Sequence, residues 1–525
     1  MTLQQNRQDL CRIAVSVILT ALAFLSPALS PLAYVSLVPV FRVLFFSRQS
    51  MKTVFFYGWL FGTLFYLSVL HWLLQLHPLD FLDLSWSVSL LIVLTAWILI
   101  SLLEGLFYAL AFLLFRKLSC QNGCDLLTLS FLWILMEWTQ GLGILGFPFC
   151  RLCLTQYQNL PAIQSVSLFG SYFLSFLLVF GNACIAYCLT DFRQKGKKWL
   201  SIALAVCLLN HCYGLYQINQ ESDDAKPLKA VLIQGNISSH QKWADNTAAT
   251  IFQTYEALTR QALEKEQPDL VIWPETVLPF DLNDTVYLQK LKKMAADFQT
   301  PLMVGGFYYD KSEQKDYNTV YEIQTDGQIS APLYAKRKLV PFGEFLPFRK
   351  TLGHLFPILK DINATGSDLT AGKESIPNVL PMIGSIGSLI CFDSVFPQIA
   401  RESVKNGAGF LTLVTNDSWF QDSAGVYQHN AHAVLRAVEN RRWIARAANT
   451  GISCFISPKG EIREALLPLT IGYTVSEFFP SSEKSLYTKI GDLFLYAGVI
   501  YLLWIGKEKK WKTFSRKRLP SHSAC

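Results

Sequence analysis

The sequence predicts two structural classes in one chain: a multi-span α-helical membrane domain, and an α/β domain of layered sheets covered by helices. Three observations lead there. Of 525 residues, 51% are hydrophobic and only 16% charged, against roughly a quarter charged in an ordinary soluble protein. Long stretches lack Asp, Glu, Lys and Arg altogether, as about 20 residues must to cross the hydrocarbon core as a helix. From Ala230 the texture changes to short β-branched runs alternating with helical segments, the pattern of an α/β domain.

The expected organisation is a membrane domain over 1–220 with about seven spans, a soluble block over 226–478, a last span over 486–505 and a basic tail over 506–525. Ile13 to Phe41 is charge-free, but Ser26-Pro27 and Ser30-Pro31 break it into two helices joined by a tight turn, because proline lacks the amide that a helix interior needs. Thr53 to Leu79, Ala162 to Thr190 and Trp199 to Gln220 carry no charge at all. Leu84 to Phe115 holds only Glu104, and Leu126 to Cys150 only Glu137. The last run, Leu486 to Ile505, contains Lys489 and Asp492 near its start, where headgroups would accept both. A cleaved signal peptide ending near Ser30 is an alternative to the first span.

Eight spans put both termini on one side. Arg7 and Arg12, Arg48 and Lys52, Arg116 and Lys117, Arg193 to Lys198, and Lys507 to Arg518 then fall together, and the short opposite loops carry only Arg151. The positive-inside rule places the soluble block outside the cytoplasm. Glu104 and Glu137 are acids at membrane depth, so a proton relay is one reading. No second acid, His or Arg recurs at helical spacing, and interhelical hydrogen bonding is the reading we expect.

Charge and cysteine exclude several function classes. Lys226 to Phe478 holds 25 Lys/Arg against 26 Asp/Glu, and the remainder 21 against 13. The excess base therefore lies in clusters beside apolar runs, and no nucleic-acid face is written. Seven of the 12 cysteines lie in or beside apolar runs and only Cys391 and Cys454 fall in the soluble block, so no disulfide framework holds it. Cys120 and Cys124 lack a second pair for zinc. The block contains no glycine-rich nucleotide loop and no zincin motif.

In the soluble block, strands are expected at AVLIQGN, DLVIWPE, PLMVGGF, YEIQT, SIGSLIC, GFLTLVT and GISCFIS, and helices at Thr250 to Glu266, Val286 to Phe298, Pro397 to Asn406 and His429 to Ala448. Three strand ends could carry chemistry. Leu270 to Glu275 runs four apolar residues into a proline and a carboxylate; a partly desolvated Glu275 suits a general base, although an ordinary loop glutamate fits the same pattern. Tyr334 to Pro347 sets Lys336, Arg337 and Lys338 before an apolar, proline-bounded loop. A solvated charge run is the usual meaning, yet a fixed lysine there could face a developing oxyanion. Ser388 to Asp393 ends an apolar strand in Cys391 before a helix, where a thiol gains thiolate character from N-terminal amides and nearby cations; a buried structural cysteine is the alternative.

Glu275, Lys336 and Cys391, in that chain order, resemble the nitrilase superfamily, and eight spans around such a domain resemble the apolipoprotein N-acyltransferases of bacterial envelopes. The likeness extends to Gln234 to Ile237 with Lys242-Trp243, Leu339 to Glu344, Thr415 to Phe420, Arg446 with Asn449 to Gly451, Glu137-Trp138, Gly146 to Phe149 and Leu174 to Phe176. Asp393 stands where that family more often has Glu, Lys338 where it often has His, Phe149 where Trp is common, and Gln140 near an expected Arg.

The resemblance implies a nitrilase-like fold, a layered α-β-β-α sandwich, for the α/β domain, in a bacterial cytoplasmic (inner) membrane with the catalytic domain on the periplasmic side. It implies transfer of a fatty acyl chain from a phospholipid donor, through a Cys391 thioester, to the N-terminal amine of a diacylated apolipoprotein. Glu275 would be the base and Lys336 the oxyanion partner, with Glu344 and Asp393 supporting. No metal or organic cofactor is needed, and the bilayer is the working surface. Trp243, Trp419, Phe342 and Phe345 suit a lid or headgroup-level belt; core packing is the other explanation. Two rivals remain: a membrane-tethered amidase acting on a small amide, and a transporter or sensor with an inactive outer domain.

Overall fold

In the computed structural model, which describes residues 3–46, 49–79, 84–189, 193–220, 226–244, 246–283, 285–355 and 368–518, the apolar runs are helical. Helices α1 (Leu3–Leu25) and α2 (Val38–Phe46) flank a 3-10 stretch, Pro27–Tyr34, at the two Ser-Pro steps. Then come α3 (Met51–Val69), α4 (Trp86–Leu118), α5 (Cys124–Thr139), α6 (Leu160–Ile163), α7 (Val166–Phe169), α8 (Ser171–Cys188) and α9 (Arg193–Ile218). Five helical stretches among the described residues are long and apolar enough to cross a membrane: Gln4–Leu25, Pro27–Phe45, Trp86–Leu118, Ser171–Cys188 and Gly196–Ile218.

Three expected spans before the soluble block differ in outline. Thr53 to Leu79 is α-helical only to Val69 and continues as a 3-10 stretch, His71–Leu76. Leu126 to Cys150 is helical only to Thr139, because Gly141, Gly143, Gly146 and Pro148 follow closely and cannot sustain a helix. Ala162 to Thr190 is divided at Gly170, whose φ is +78°. Small residues set the packing elsewhere: a Cβ on Gly58 of α3 would lie 2.8 Å from Ala109 Cα of α4, the close approach that membrane helices favour. The two membrane acids are bound within this bundle. Glu104 accepts from Gln140 Nε2 at 2.7 Å, and Glu137 accepts from Trp133 Nε1 at 3.0 Å and Leu152 N at 2.8 Å.

The soluble block contains two six-stranded sheets. The first runs β12 (Gly472–Phe478), β1 (Leu228–Gln234), β2 (Leu270–Ile272), β3 (Leu302–Asp310), β4 (Lys315–Ile323) and β5 (Tyr334–Ala335). The second runs β11 (Ile462–Arg463), β10 (Cys454–Ile456), β9 (Ile444–Ala448), β8 (Phe410–Thr415), β7 (Gly384–Ile390) and β6 (Asn378–Leu380). In each sheet the three central strands are parallel. Strand alternation sorts the faces. Leu232, Ile272 and Met303 meet Ile390, Val414 and Phe455 between the sheets, while Val231, Val271 and Trp273 face outward to the helices.

The flanking helices are α10 (Ser239–Trp243), α11 (Ala248–Glu266), α12 (Val286–Phe298), α13 (Arg349–Leu355), α14 (Pro397–Lys405) and α15 (Ala424–Asn440). The chain returns to the membrane half through α16 (Leu486–Ile490), Gly491 at φ +64°, and α17 (Leu493–Arg518). The last apolar run is thus helical in two pieces. One predicted helix is corrected: His429 to Ala448 is the second half of α15 followed by strand β9. Arg441, at φ +52°, ends the helix. The strand Ile-Ala-Arg-Ala-Ala is alanine-rich and wholly buried, so helix propensity and apolar periodicity both misread it.

Nearly all of α15 is buried, because it lies between the second sheet and the membrane helices. Leu411 and Leu413 of β8, Val434 and Ala437 of α15, and Phe149, Leu152 and Val166 form one continuous core. Inside it, Arg436 Nε lies 2.6 Å from Glu439 Oε2. Glu439 Oε1 accepts from Ser171 N at the start of α8, and Arg436 Nη1 donates to Ser394 O. Removing one partner of a fully buried pair leaves the other charge stranded, at a cost of about 3–5 kcal/mol. R436M is therefore expected to lower the thermal midpoint of the detergent-purified protein sharply, and R436M/E439M to recover part of the loss.

Candidate active site

The three chemical residues sit at strand ends on the same side of the sandwich. Pro274 stops β2 after Trp273, whose amide donates to Met303 O at 2.7 Å, and Gly305 N then donates to Pro274 O at 3.1 Å. A Cβ on Gly305 would lie 2.2 Å from Pro274 O and 2.6 Å from Glu275 Cα, so only glycine lets β3 pass so close to the Glu275 turn. Lys336 follows β5 directly and is tied by its amide to Asn318 O at 2.8 Å. Cys391 follows β7, opens the 3-10 turn Cys391–Val395 and has φ +47°. That left-handed backbone is costly for a non-glycine residue and is typical of a functional turn.

Lys336 joins two carboxylates. Its Nζ donates to Glu275 Oε1 at 2.9 Å and to Glu344 Oε1 at 2.8 Å, and Asn318 Nδ2 donates to the same two oxygens at 2.7 and 3.1 Å. Asn416 N donates to Glu275 Oε2 at 2.9 Å. A carboxylate offers about four lone-pair positions; the described residues fill three on Glu275 and leave one on Oε2 able to take a proton. Glu344 both orients Lys336 and fixes its own loop, since its Oε2 accepts from Val340 N at 2.8 Å. Burial opposes the Lys336 ammonium, but Glu275 and Glu344 more than offset it and hold its pKa well above the ordinary lysine value.

The Cys391 thiol differs from the sequence expectation. Burial, then the Glu275 carboxylate, push its pKa far above the ordinary thiol range, and Lys336 pulls it back only in part. That shift favours a neutral thiol beside a carboxylate, and a thiol in this setting needs a proton acceptor before it can react. The turn beneath it is fully bonded. Asp393 is buried and accepts from Arg337 N at 3.1 Å, Lys338 N at 2.8 Å, Ile390 N at 3.2 Å and Tyr334 OH at 2.8 Å, tying the lysine loop to the cysteine turn. Burial raises its pKa to about 6, those donors opposing the rise.

A second buried network supports the loop after β8. Arg446 Nη2 donates to Asp417 Oδ2 at 2.7 Å, and His429 Nδ1 donates to Asp417 Oδ1 at 2.9 Å, while His429 Nε2 lies 3.1 Å from Cys391 O. Burial would raise the Asp417 pKa, yet Arg446 and His429 pull it well below the ordinary carboxylate value. Asn449 bonds Asn416 Oδ1 through Nδ2 and accepts from Ile237 N and Tyr255 OH, so one side chain joins the tips of both sheets. Sequence reading missed Asn318 and His429, which lie inside a strand and a helix without a motif.

The aromatic candidates are placed individually. Trp243 is half-buried, with its ring 6.3 Å from that of Phe307. Phe342 is 60% exposed and at φ +65°, and its amide donates to the O of half-buried Phe345 at 2.9 Å. Trp419 is half-buried, and its neighbour Phe420 packs edge-on against Trp72 of the membrane half at 4.7 Å. Among the described residues no cluster of three or more His, Cys, Asp or Glu suits a metal ion.

The state of the thiol is directly testable. At pH 8 an ordinary cysteine is roughly one-quarter thiolate, and Cys391 should be far less. Carbamidomethylation of the Cys391 peptide, followed by mass spectrometry, is expected to run at least about tenfold slower than for a free thiol and to keep climbing through pH 9 without a plateau.

Residues 229–474 match the carbon-nitrogen hydrolase family, and residues 16–184 match the apolipoprotein N-acyltransferase N-terminal domain. The chain is 32% identical to the apolipoprotein N-acyltransferase of Geobacter metallireducens, over 94% of each chain. It is 30% identical to that of Gloeobacter violaceus, over 82% of this chain and 80% of the other. Among solved structures, a nitrilase-superfamily member from Saccharomyces cerevisiae is similar over 52% of this chain and 97% of its own, with 20% identity and a TM-score of 0.40. With both halves matched and near-complete coverage of its relatives, the chain belongs to the apolipoprotein N-acyltransferase family.

Proposed function

We propose that this protein moves a fatty acyl chain from a phospholipid to the N-terminal amine of a diacylated apolipoprotein, through a thioester on Cys391. The observation that carries the reading is the continuous core in which Leu389 of β7 and Phe392 of the Cys391 turn join β8, α15, Phe149 and Leu152: the elements carrying the nucleophile are built onto the membrane helices. Water-soluble substrates would need no such floor. The amidase reading uses the same three residues but leaves this construction unexplained.

In the first half-reaction Cys391 Sγ attacks the ester carbonyl while the open position on Glu275 Oε2 takes the thiol proton. The carbonyl oxygen becomes an oxyanion, which the Lys336 ammonium stabilises by a charge-assisted hydrogen bond. Collapse expels the glycerol oxygen, which takes the proton from Glu275 and leaves as lysophospholipid. In the second half-reaction the apolipoprotein amine attacks the thioester and gives its proton to Glu275. The thiolate leaves, is reprotonated from Glu275, and an amide remains. Asn318 holds Glu275 and Glu344 in register throughout, with Asp393 fixing Cys391 against the lysine loop. Trp243, Trp419, Phe342 and Phe345 would meet lipid at the mouth.

In the same reading, 1–220 is the membrane domain with about seven spans, 226–478 the catalytic domain, 486–505 the final span and 506–525 a basic cytoplasmic tail. The catalytic domain stands on the periplasmic side of the inner membrane.

Incubating the purified protein with phospholipid vesicles and no amine acceptor should add a fatty acyl mass to the Cys391 peptide. E275A and C391A should show none, and a folded wild type without the adduct would refute the thioester. G305A should reduce the acylation rate by about 10²-fold, the penalty for displacing a catalytic group by about 1 Å, because the Glu275 turn must move to admit the methyl.

A further inference from the structure

A second lysine is buried beside the Glu275 turn. Lys242, in α10, is only 4% exposed; its Nζ donates to Thr276 Oγ1 at 2.7 Å and lies 5.5 Å from the Trp243 ring centroid and 5.8 Å from that of Phe307. Its charge is attracted by Glu275 and Glu344 and repelled by Lys336. These groups come from the β2 end, the loop after β5 and the β5 end, while β3 supplies only the neutral Phe307. Cys391 is coupled in turn to Glu275 and Lys336.

Glu275 and Glu344 share the single ammonium of Lys336, which leaves one negative charge uncompensated in a largely buried cluster. Asp417 is already neutralised by Arg446. An uncompensated buried carboxylate pair relieves itself by holding a proton, and a protonated pair cannot accept one from the thiol.

We propose that Lys242 is a positioning residue of the active site: its ammonium balances the second carboxylate, so that Glu275 and Glu344 are both anionic and Glu275 is ready to take the Cys391 proton. The inference rests on the reading of Glu275 as the base. Burial lowers the Lys242 pKa to about 8, with Glu275 and Glu344 opposing. The lysine is therefore charged at neutral pH, and its contribution fades as pH rises through 8, where the carboxylates no longer need it. The bond to Thr276, held at φ +39°, also ties the Trp243 segment to the Glu275 turn, and that structural role must be separated from the electrostatic one.

The test is the rate of Cys391 acylation, read by mass spectrometry of its peptide, in full-length protein mixed with phosphatidylethanolamine vesicles between pH 6 and 9. In K242M the acid limb should move up by about 1–2 pH units, as loss of a nearby opposite charge demands, and the rate should approach wild type at pH 9. T276V, which removes the hydrogen bond and keeps the charge, should leave the limb in place whatever its rate. E344Q, which leaves the cluster one positive charge in excess, should move the limb down and gives an independent reading if K242M does not fold. K242M slowed equally at every pH, a T276V limb displaced as far as that of K242M, or an unmoved E344Q limb would each overturn the inference while acyl transfer stood. A wild type that forms no adduct at any pH overturns the acyl-transfer reading, and this inference with it.

Discussion

One ammonium, Lys336 Nζ, holds the chemical part of this protein together. It bonds Glu275 and Glu344 at once, and those carboxylates come from different loops, so three chain segments are fixed by one cation. Much around it follows from that demand. Burying charges is costly unless every lone pair and proton finds a partner, and Asn318 and the amides of Val340 and Asn416 supply those partners. The Gly305 contact brings β3 close enough to hold the Glu275 turn, and Asp393 performs the corresponding service between Lys336's loop and Cys391.

The second organising fact is that one helix layer serves two bodies. In a free-standing α-β-β-α sandwich the outer helices show a polar face to water. Here α11 keeps such a face, with Arg260 paired to Glu256 at the surface, whereas α15 has almost none. Its polar groups are bonded inward instead, His429 toward Asp417 and the Cys391 carbonyl, Gln428 toward Trp72 and Val69, and Arg436 toward Glu439 and Ser394. The Cys391 turn is thus gripped from the membrane side as well as from the sheets.

How much of this could be read in the sequence depends on the range of the interaction involved. Glu275 and Cys391 stood out because each ends an apolar strand at a break signal, and Lys336 because it opens a run of three bases set before an apolar, proline-bounded loop. Helix α12 was exact because one amphipathic face faces the first sheet. Strands β5, β6 and β11 were invisible because two or three residues carry no periodicity, and β12 because its pairing with β1 spans more than half the soluble block. Asn318 was missed for a related reason: its role arises only when β4 pairs with β3 and sets it opposite Phe307. The layering of sheets under helices was legible in the order of strands and helices, whereas the α-β-β-α stacking came from the family resemblance.

The burial of α15 also limits how the molecule can be divided. Residues 226–478, cut free at their apparent boundaries, would uncover Phe392 and Phe420, whose rings pack on Phe147, Trp72 and Phe149, and would strip Gln428, Arg436 and Glu439 of their partners Trp72 and Ser171. Uncovered apolar surface of this kind drives self-association. The boundary in sequence is therefore not a boundary in packing: the soluble block takes one wall of its core from the membrane helices.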